Sequence, residues 1–164
     1  MSEGTVVRKD AETIGAALGC IPSGCSVLTV EHDGTTTGLL VSWVQQASFE
    51  PPALTVCIKH GRPVESLIDA SHRFLLNVLG EGSKEMLHHF GKGFSLTADA
   101  FVGLDTRTSE FGPVIESCVA HLGCRVLSKV PTGDHSLYVA EVVAGGVVDG
   151  ARPYTHIRKS GLSY

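Results

Sequence analysis

The stretch Gly38 to Leu79, GLLVSWVQQASFEPPALTVCIKHGRPVESLIDASHRFLLNVL, decides how the rest of the 164-residue chain is read. Its apolar period changes three times. ALTVCI, after Pro51-Pro52, is short, apolar and β-branched, as a buried strand is. RPVESLIDA has Val64, Leu67 and Ile68 on one face, with Pro63 suited to a first helical turn. RFLLNVL returns to strand composition. The segment therefore reads as strand, turn, strand, short helix, strand.

Upstream, residues 25–46 (CSVLTVEHDGTTTGLLVSWVQQ) read as two strands around His32-Asp33-Gly34, because Asp-Gly between apolar runs signals a tight hairpin. DAETIGAALG reads as a helix capped by Asp10 and ended by Gly19, with Ile14, Ala17 and Leu18 on its apolar face. Downstream, SKEMLHHFG is a helix with Ser83 as cap and Gly91 as terminator. Residues 92–113 carry no period and read as a long loop. From Cys118 to Val130 the chain alternates, with Cys118, Ala120, Leu122, Cys124 and Val126 on one face. PTGDH is a turn. SLYVAEVVAGGVV is apolar on both faces, which predicts burial on both sides, in a barrel or at an interface. A last strand covers Tyr154 to Ile157. Many strands with few short helices predict one mainly β domain over residues 1–164.

Apolar residues make up 43% and charged residues 18% of the chain, the balance of a folded globular domain. The net charge of -4 and the lack of any basic block argue against nucleic acid as partner. No apolar run is long enough for a membrane helix, and the N-terminus lacks a signal peptide's apolar stretch. The expected location is cytoplasmic, with an organelle as the alternative if a transit peptide has been removed. Five cysteines without a C-x-x-C pair read as buried apolar thiols, and no metal site is expected.

Several motifs are absent. GKGFS lacks the spacing of a phosphate-binding Walker loop. GEGSKE is better read as a turn before a helix than as a dinucleotide fingerprint. A nicotinamide coenzyme therefore has no Rossmann site here and needs another surface. His88 and His89 diverge on a helix and read as surface residues.

Ser42, Ser48, Glu50-Pro51-Pro52, Arg62 and Phe74-x-x-Asn77-Val78-Leu79 occur in the order found in the flavin reductase family, the FMN-binding split-barrel proteins, which this chain resembles. Gly133-Asp134-His135 before a strand and a basic, aromatic C-terminal segment ending in Gly161 and Tyr164 extend the resemblance from about Ile21 onwards. SWVQQASFEPP is especially similar to the C-terminal flavin reductase domain of flavodiiron proteins. The resemblance implies an antiparallel split β-barrel, a homodimer, bound FMN (FAD being the alternative), and NAD(P)H as cosubstrate. The chain departs from the family's T-x-S-S element, where it has Leu40-Val41-Ser42-Trp43, so backbone groups there take over from missing hydroxyls.

Candidate site residues follow. FMN needs an apolar slot, donors for its polar rim and concentrated positive charge. Arg62 precedes Pro63 at a helix start, where guanidinium, helix dipole and N–H groups converge on an anion. Lys59 and His60 add charge. Ser42 and Ser48 are donors, with Leu40 and Val41 beside them. Trp43 is either a ring cover or a residue of the core or dimer interface. Asn77 is either a ligand contact or a satisfier of backbone groups. By resemblance, His135 touches flavin or nicotinamide as the catalytic candidate, and Tyr154 and Arg158, with His156 and Lys159, lie near the cofactor. The expected activity is an NAD(P)H:flavin oxidoreductase that passes electrons to an acceptor or a redox partner protein. The rival readings are a non-enzymatic flavin electron-transfer module and a split barrel holding haem or pyridoxal phosphate.

Overall fold

A computed structural model describes residues 9–163. The reading of the extreme N-terminus and the terminal Tyr164 of the resemblance lie outside them. In chain order the elements are α1 (Ala11–Gly19), β1 (Ser23–Gly24), β2 (Ser26–His32), β3 (Thr35–Val41), β4 (Val44–Phe49), β5 (Pro52–Lys59), α2 (Val64–Ser71) and β6 (Arg73–Val78). They continue with α3 (Lys84–Gly91), β7 (Thr106–Arg107), β8 (Val114–Ile115), β9 (Ala120–Thr132), β10 (His135–Val147) and β11 (Thr155–His156).

Seven strands form one antiparallel sheet in the order β3-β2-β6-β9-β10-β5-β4. β3 and β4 are its two opposite edges, yet only Ser42 and Trp43 separate them in the chain. A two-residue link spans at most about 11 Å between its flanking Cα atoms. The edges must therefore lie side by side, which rolls the sheet into a split β-barrel with its seam at Ser42-Trp43. The sequence alone suggested one strand running through to Gln46. The structure breaks it because Val41 ends the pairing with β2 while Val44 begins a new pairing with β5.

The hairpin between β2 and β3 is a two-residue turn with positive φ at Asp33 (49°) and Gly34 (78°), the type I′ geometry that Asp-Gly favours. Inside the barrel, Leu28, Val56, Ile58, Phe74, Leu76 and Tyr138 pack against Val64, Leu67 and Ile68 of α2. A second cluster, with Val27, Leu79, Met86, Phe90 and Ile115, lies under α3. Ser83 does not cap α3 by its side chain; its hydroxyl accepts the Gly80 N–H at 3.1 Å. His89 is half-buried rather than on the surface, with Nε2 2.8 Å from the Ala100 carbonyl and its ring against Phe90 and Phe94. Residues 92–113 are better anchored than a free loop. They carry β7, which pairs with β8, and Phe111, which packs with Leu75 and Val114.

β10 pairs on both edges, with β9 and β5, from His135 to Glu141, but it is not buried on both faces as expected: Ser136, Tyr138 and Ala140 point into the core, while Leu137 and Val139 on the other face are only half-buried. Beyond Glu141 only β9 remains as a partner, and Val143 and Val147 are exposed. In α1, Asp10 caps as expected, accepting the Thr13 N–H at 2.8 Å. Its inward face is not the apolar one, however. Ile14 and Leu18 are exposed, while Gly15 and Gly19 are buried. No helix among the described residues is long and apolar enough to cross a membrane, and no group of three His, Cys, Asp or Glu among them is placed to hold a metal.

Burial pushes the Cys25 thiol up to about 11, and the Cys118 and Cys124 thiols up to about 12, from 9.0. The unfolded chain releases these protons first. Their contribution to stability is therefore complete below pH 9 and is lost as pH rises through 11 to 12. Each thiol should cost about 1.4 kcal/mol per pH unit over that window. Urea unfolding under reducing conditions at pH 8, 9.5 and 10.5 checks this, and Cys124→Ala should flatten the decline by one thiol's share.

Candidate functional site

A cavity of about 680 Å³ opens at the barrel seam. That is within the size range of small-molecule sites, which runs to about 1,000 Å³. Leu39, Leu40, Val41 and Ile58 give it apolar walls, Leu87 and Gly91 of α3 close one side, and Ser42, Trp43 and Cys57 line the seam. Trp43 is held there by its own backbone, since its carbonyl accepts the Cys57 N–H at 3.0 Å. A separate hollow of about 500 Å³ by Gly80 to Ser83 has Glu81, Glu85 and Arg152 on its walls, so carboxylates face any anion there.

The cavity's cationic side chains are Lys59 and Arg62, from the turn Lys59-His60-Gly61-Arg62, and Arg158 and Lys159, from the C-terminal segment. The Arg62 N–H reaches the Lys59 carbonyl at 3.4 Å, and Gly61 has φ of 82°. A positive φ at the third position marks a type II turn, which glycine adopts without strain. Such a turn brings its first and fourth residues together, so Lys59 and Arg62 both line the cavity. His60 sits at the turn's outer corner, exposed and off the cavity, with its N–H on the Asp134 carbonyl at 3.0 Å. The start of α2 is less open than the sequence suggested. The Glu65 N–H is already taken by the Arg62 carbonyl at 3.0 Å, no residue of α2 lines the cavity, and just ahead of the helix the Gly61 N–H is taken by Glu65 Oε2 at 3.0 Å. Positive side chains, more than helix N–H groups, therefore face the cavity.

Beside Trp43 lie two further groups. The His135 ring is 4.7 Å away at an interplanar angle of 35°, and the Arg158 guanidinium stands 4.9 Å over the indole. His135 is buried, sits opposite Lys59 in the β10–β5 register, and has Nδ1 2.7 Å from Asp134 Oδ1. The imidazole donates that proton to the carboxylate, which fixes the ring's orientation. The hydrogen bond from His135 also holds the Asp134 carboxyl below its usual range. A smaller cleft of about 450 Å³ runs from Trp43 past Lys59, Asp134 and His135 to Leu162 and Ser163.

Arg158 reaches Trp43 because the segment after β11, residues 158–161, lies against α1. The Gly161 N–H donates to the Gly15 carbonyl at 2.6 Å. A Cβ on Gly15 would come within 2.7 Å of Ser160 Oγ, and one on Gly19 within 2.6 Å of the Arg158 carbonyl. The two glycines of α1 thus make room for the segment that covers Trp43.

Of the sequence candidates, the cavity and its adjoining cleft bring together Leu40, Val41, Ser42, Trp43, Lys59, Arg62, His135 and Arg158. Tyr154 lines a third cleft that meets the same Ser42, Trp43 and Arg158. Ser48, His60, Pro63 and Asn77 are not on these walls. Ser48 sits in β4 opposite Ala53. Pro63 serves as N-cap of α2. Asn77 is fully buried, and its amide is used internally. Nδ2 donates to the Val27 carbonyl at 3.2 Å, with Thr29 Oγ1 and the Pro113 carbonyl also in reach, while Oδ1 accepts the Ile115 N–H at 2.9 Å.

The sequence matches the flavin reductase like domain over residues 18–161. The chain belongs to that family. This flavin reductase-like chain is 37% identical over 151 residues to diflavin flavoprotein A 1 of Synechocystis sp., an overlap covering 90% of this chain and 26% of that protein. It spans about a quarter of the length of the curated relatives it matches. The flavin reductase of the styrene monooxygenase of Pseudomonas putida S12 superimposes with a TM-score of 0.73 and 27% identity, over 87% of this chain and 90% of that one. The NADH:FAD oxidoreductase of Streptomyces globisporus C-1027, solved in complex with NAD and FAD fragments, shares the fold at a TM-score of 0.79 and 24% identity, over 89% and 86% of the two chains. In this flavin reductase-like protein, Cys57, Ile58, Leu87 and Glu65 are site features that the sequence reading did not single out. The alternation of β5 marks Ile58, but Leu87 reaches the seam only through tertiary packing, and Glu65, off the cavity wall, touches the site only through the Gly61 N–H.

Proposed function

We propose that the chain binds FMN in the seam cavity and reduces it with NADH or NADPH, as an NAD(P)H:flavin oxidoreductase. The observation that carries this is one cavity with apolar walls, a single tryptophan and, among its cations, the Lys59–Arg62 pair set by one turn. That donor set fits a flat apolar ring with a doubly charged phosphate. Lys59 and Arg62 hold the phosphate. Leu39, Leu40, Val41 and Ile58 exclude water from the ring, and Ser42 donates to its polar rim. When bound, the flavin would supply the redox chemistry, the acceptance of a hydride from the nicotinamide. The protein supplies position and electrostatics. His135, oriented by Asp134, and Arg158 stand where a nicotinamide coenzyme would enter along the adjoining cleft. FAD is the other flavin that such a cation pair accommodates. We also propose a homodimer, supported by Val143, Val147 and Val148 lying exposed along and just beyond the open end of β10.

A second reading is a flavin module that exchanges electrons only with a partner protein or domain. The length of the relatives favours keeping it, since this chain matches about a quarter of them. Anaerobic addition of NADH, then NADPH, to the FMN-loaded protein separates the two. Reductase activity predicts bleaching of the yellow colour within seconds to minutes by at least one nucleotide. A yellow protein that neither nucleotide bleaches would leave only the carrier reading.

A further inference from the structure

The turn that carries Lys59 and Arg62 has its central peptide held from outside. Types I and II turns differ by a flip of that peptide, and only one orientation points the Gly61 N–H towards a given partner. Here the partner is Glu65 Oε2, 3.0 Å away. The other carboxylate oxygen is anchored in the barrel wall. The Tyr138 Oη proton is shared between two carboxylates, Asp69 Oδ1 at 3.1 Å and Glu65 Oε1 at 3.4 Å, and Lys129 Nζ lies 3.6 Å from Glu65 Oε1 and 2.7 Å from Asp69 Oδ2. Tyr138 is fully buried, whereas the Glu65 side chain keeps 13% of its exposure. Burial, together with the Asp69 and Glu65 carboxylates, keeps the Tyr138 phenol protonated and hence a donor. None of these groups lines the cavity.

We propose that Glu65 is a positioning residue: it fixes the Gly61 peptide, and through it the spacing of Lys59 and Arg62 that receives the flavin phosphate. The proposal rests on the flavin reading above. Its geometry is a continuous chain of contacts from the barrel wall (Tyr138, Lys129), through Glu65 and the Gly61 amide, to the two cations at either end of the turn. A carboxylate one peptide away from a cation pair would, by charge alone, oppose the pair's affinity for phosphate. A brace acts in the other sense, so the two roles predict opposite results.

The test compares FMN with riboflavin, which lacks the phosphate, by flavin-fluorescence titration of wild type, Glu65→Ala and Glu65→Gln. The brace predicts that Glu65→Ala weakens FMN about tenfold, with riboflavin changed less than about twofold. Glu65→Gln, whose amide oxygen still accepts the Gly61 N–H, should stay within about threefold of wild type for FMN. In the flavin-free protein, amide exchange at Gly61 should quicken in Glu65→Ala and not in Glu65→Gln. Equal losses for both flavins, or tighter FMN binding by Glu65→Ala, would overturn the proposal. Should Glu65→Ala fail to fold, Tyr138→Phe keeps the question open to decision. It should weaken FMN about threefold and spare riboflavin, and an unchanged FMN affinity would count against the brace. A wild type that binds neither flavin overturns the flavin reading and the phosphate role together, whereas unaltered Gly61 exchange in Glu65→Ala overturns the brace alone.

Discussion

Arg62→Ala is expected to weaken FMN binding by about ten- to a hundredfold, because a charge-assisted contact to phosphate contributes about 1.5–3 kcal/mol. Lys92→Ala makes a stringent control. It removes the same charge from the C-cap of α3, an exposed residue between Gly91, which lines the cavity, and Gly93, whose added Cβ would lie 3.4 Å from Arg62 Nη1. Lys92 itself is off the cavity, so its removal should change FMN affinity by less than about twofold. Titration of both variants checks the assignment, and equal affinities would remove Arg62 from it. Riboflavin should bind Arg62→Ala and wild type alike, since the lost contact is to phosphate.

Asn77→Ala is expected to cost about 3 kcal/mol of stability and to leave flavin affinity nearly unchanged. Its amide is the junction of β6, β2 and the segment Pro113 to Ile115. Truncation leaves the Ile115 N–H and Thr29 Oγ1 with one fewer partner inside the core, and a buried group left so costs about 1–3 kcal/mol. Chemical denaturation measures the loss, and titration of the folded variant with FMN tests the second half. A large fall in FMN affinity with stability intact would restore Asn77 to the flavin site.

Much of the fold was legible because local chemistry and global topology agree. Asp33-Gly34 specifies its hairpin by φ, and Arg62-Pro63-Val64 starts a helix whose apolar face meets the barrel. The seam was not legible. Leu40 to Val44 reads as an unbroken strand, because strand composition does not say which neighbour each residue pairs with. Asn77 is a polar residue in a strand and Arg62 a cation in the turn before α2, and sequence cannot tell partners in the protein from partners in a ligand. The docking face of α1 was missed for the opposite reason. Apolar side chains mark a buried face, but here close approach of the C-terminal segment is marked by the missing side chains of Gly15 and Gly19. Glu65 lay in the solvent-facing part of a helical pattern, and only Tyr138, 73 residues away, reveals its role.

Trp43 is the only tryptophan, and it lies on the seam cavity between His135 and Arg158. Its emission therefore reports directly on what enters. Titrating the flavin-free protein with FMN should quench that emission saturably, at one flavin per chain, and leave a yellow protein after removal of free flavin or a measurable dissociation constant if exchange is fast. A colourless protein whose tryptophan emission FMN does not change would contradict flavin binding at the seam.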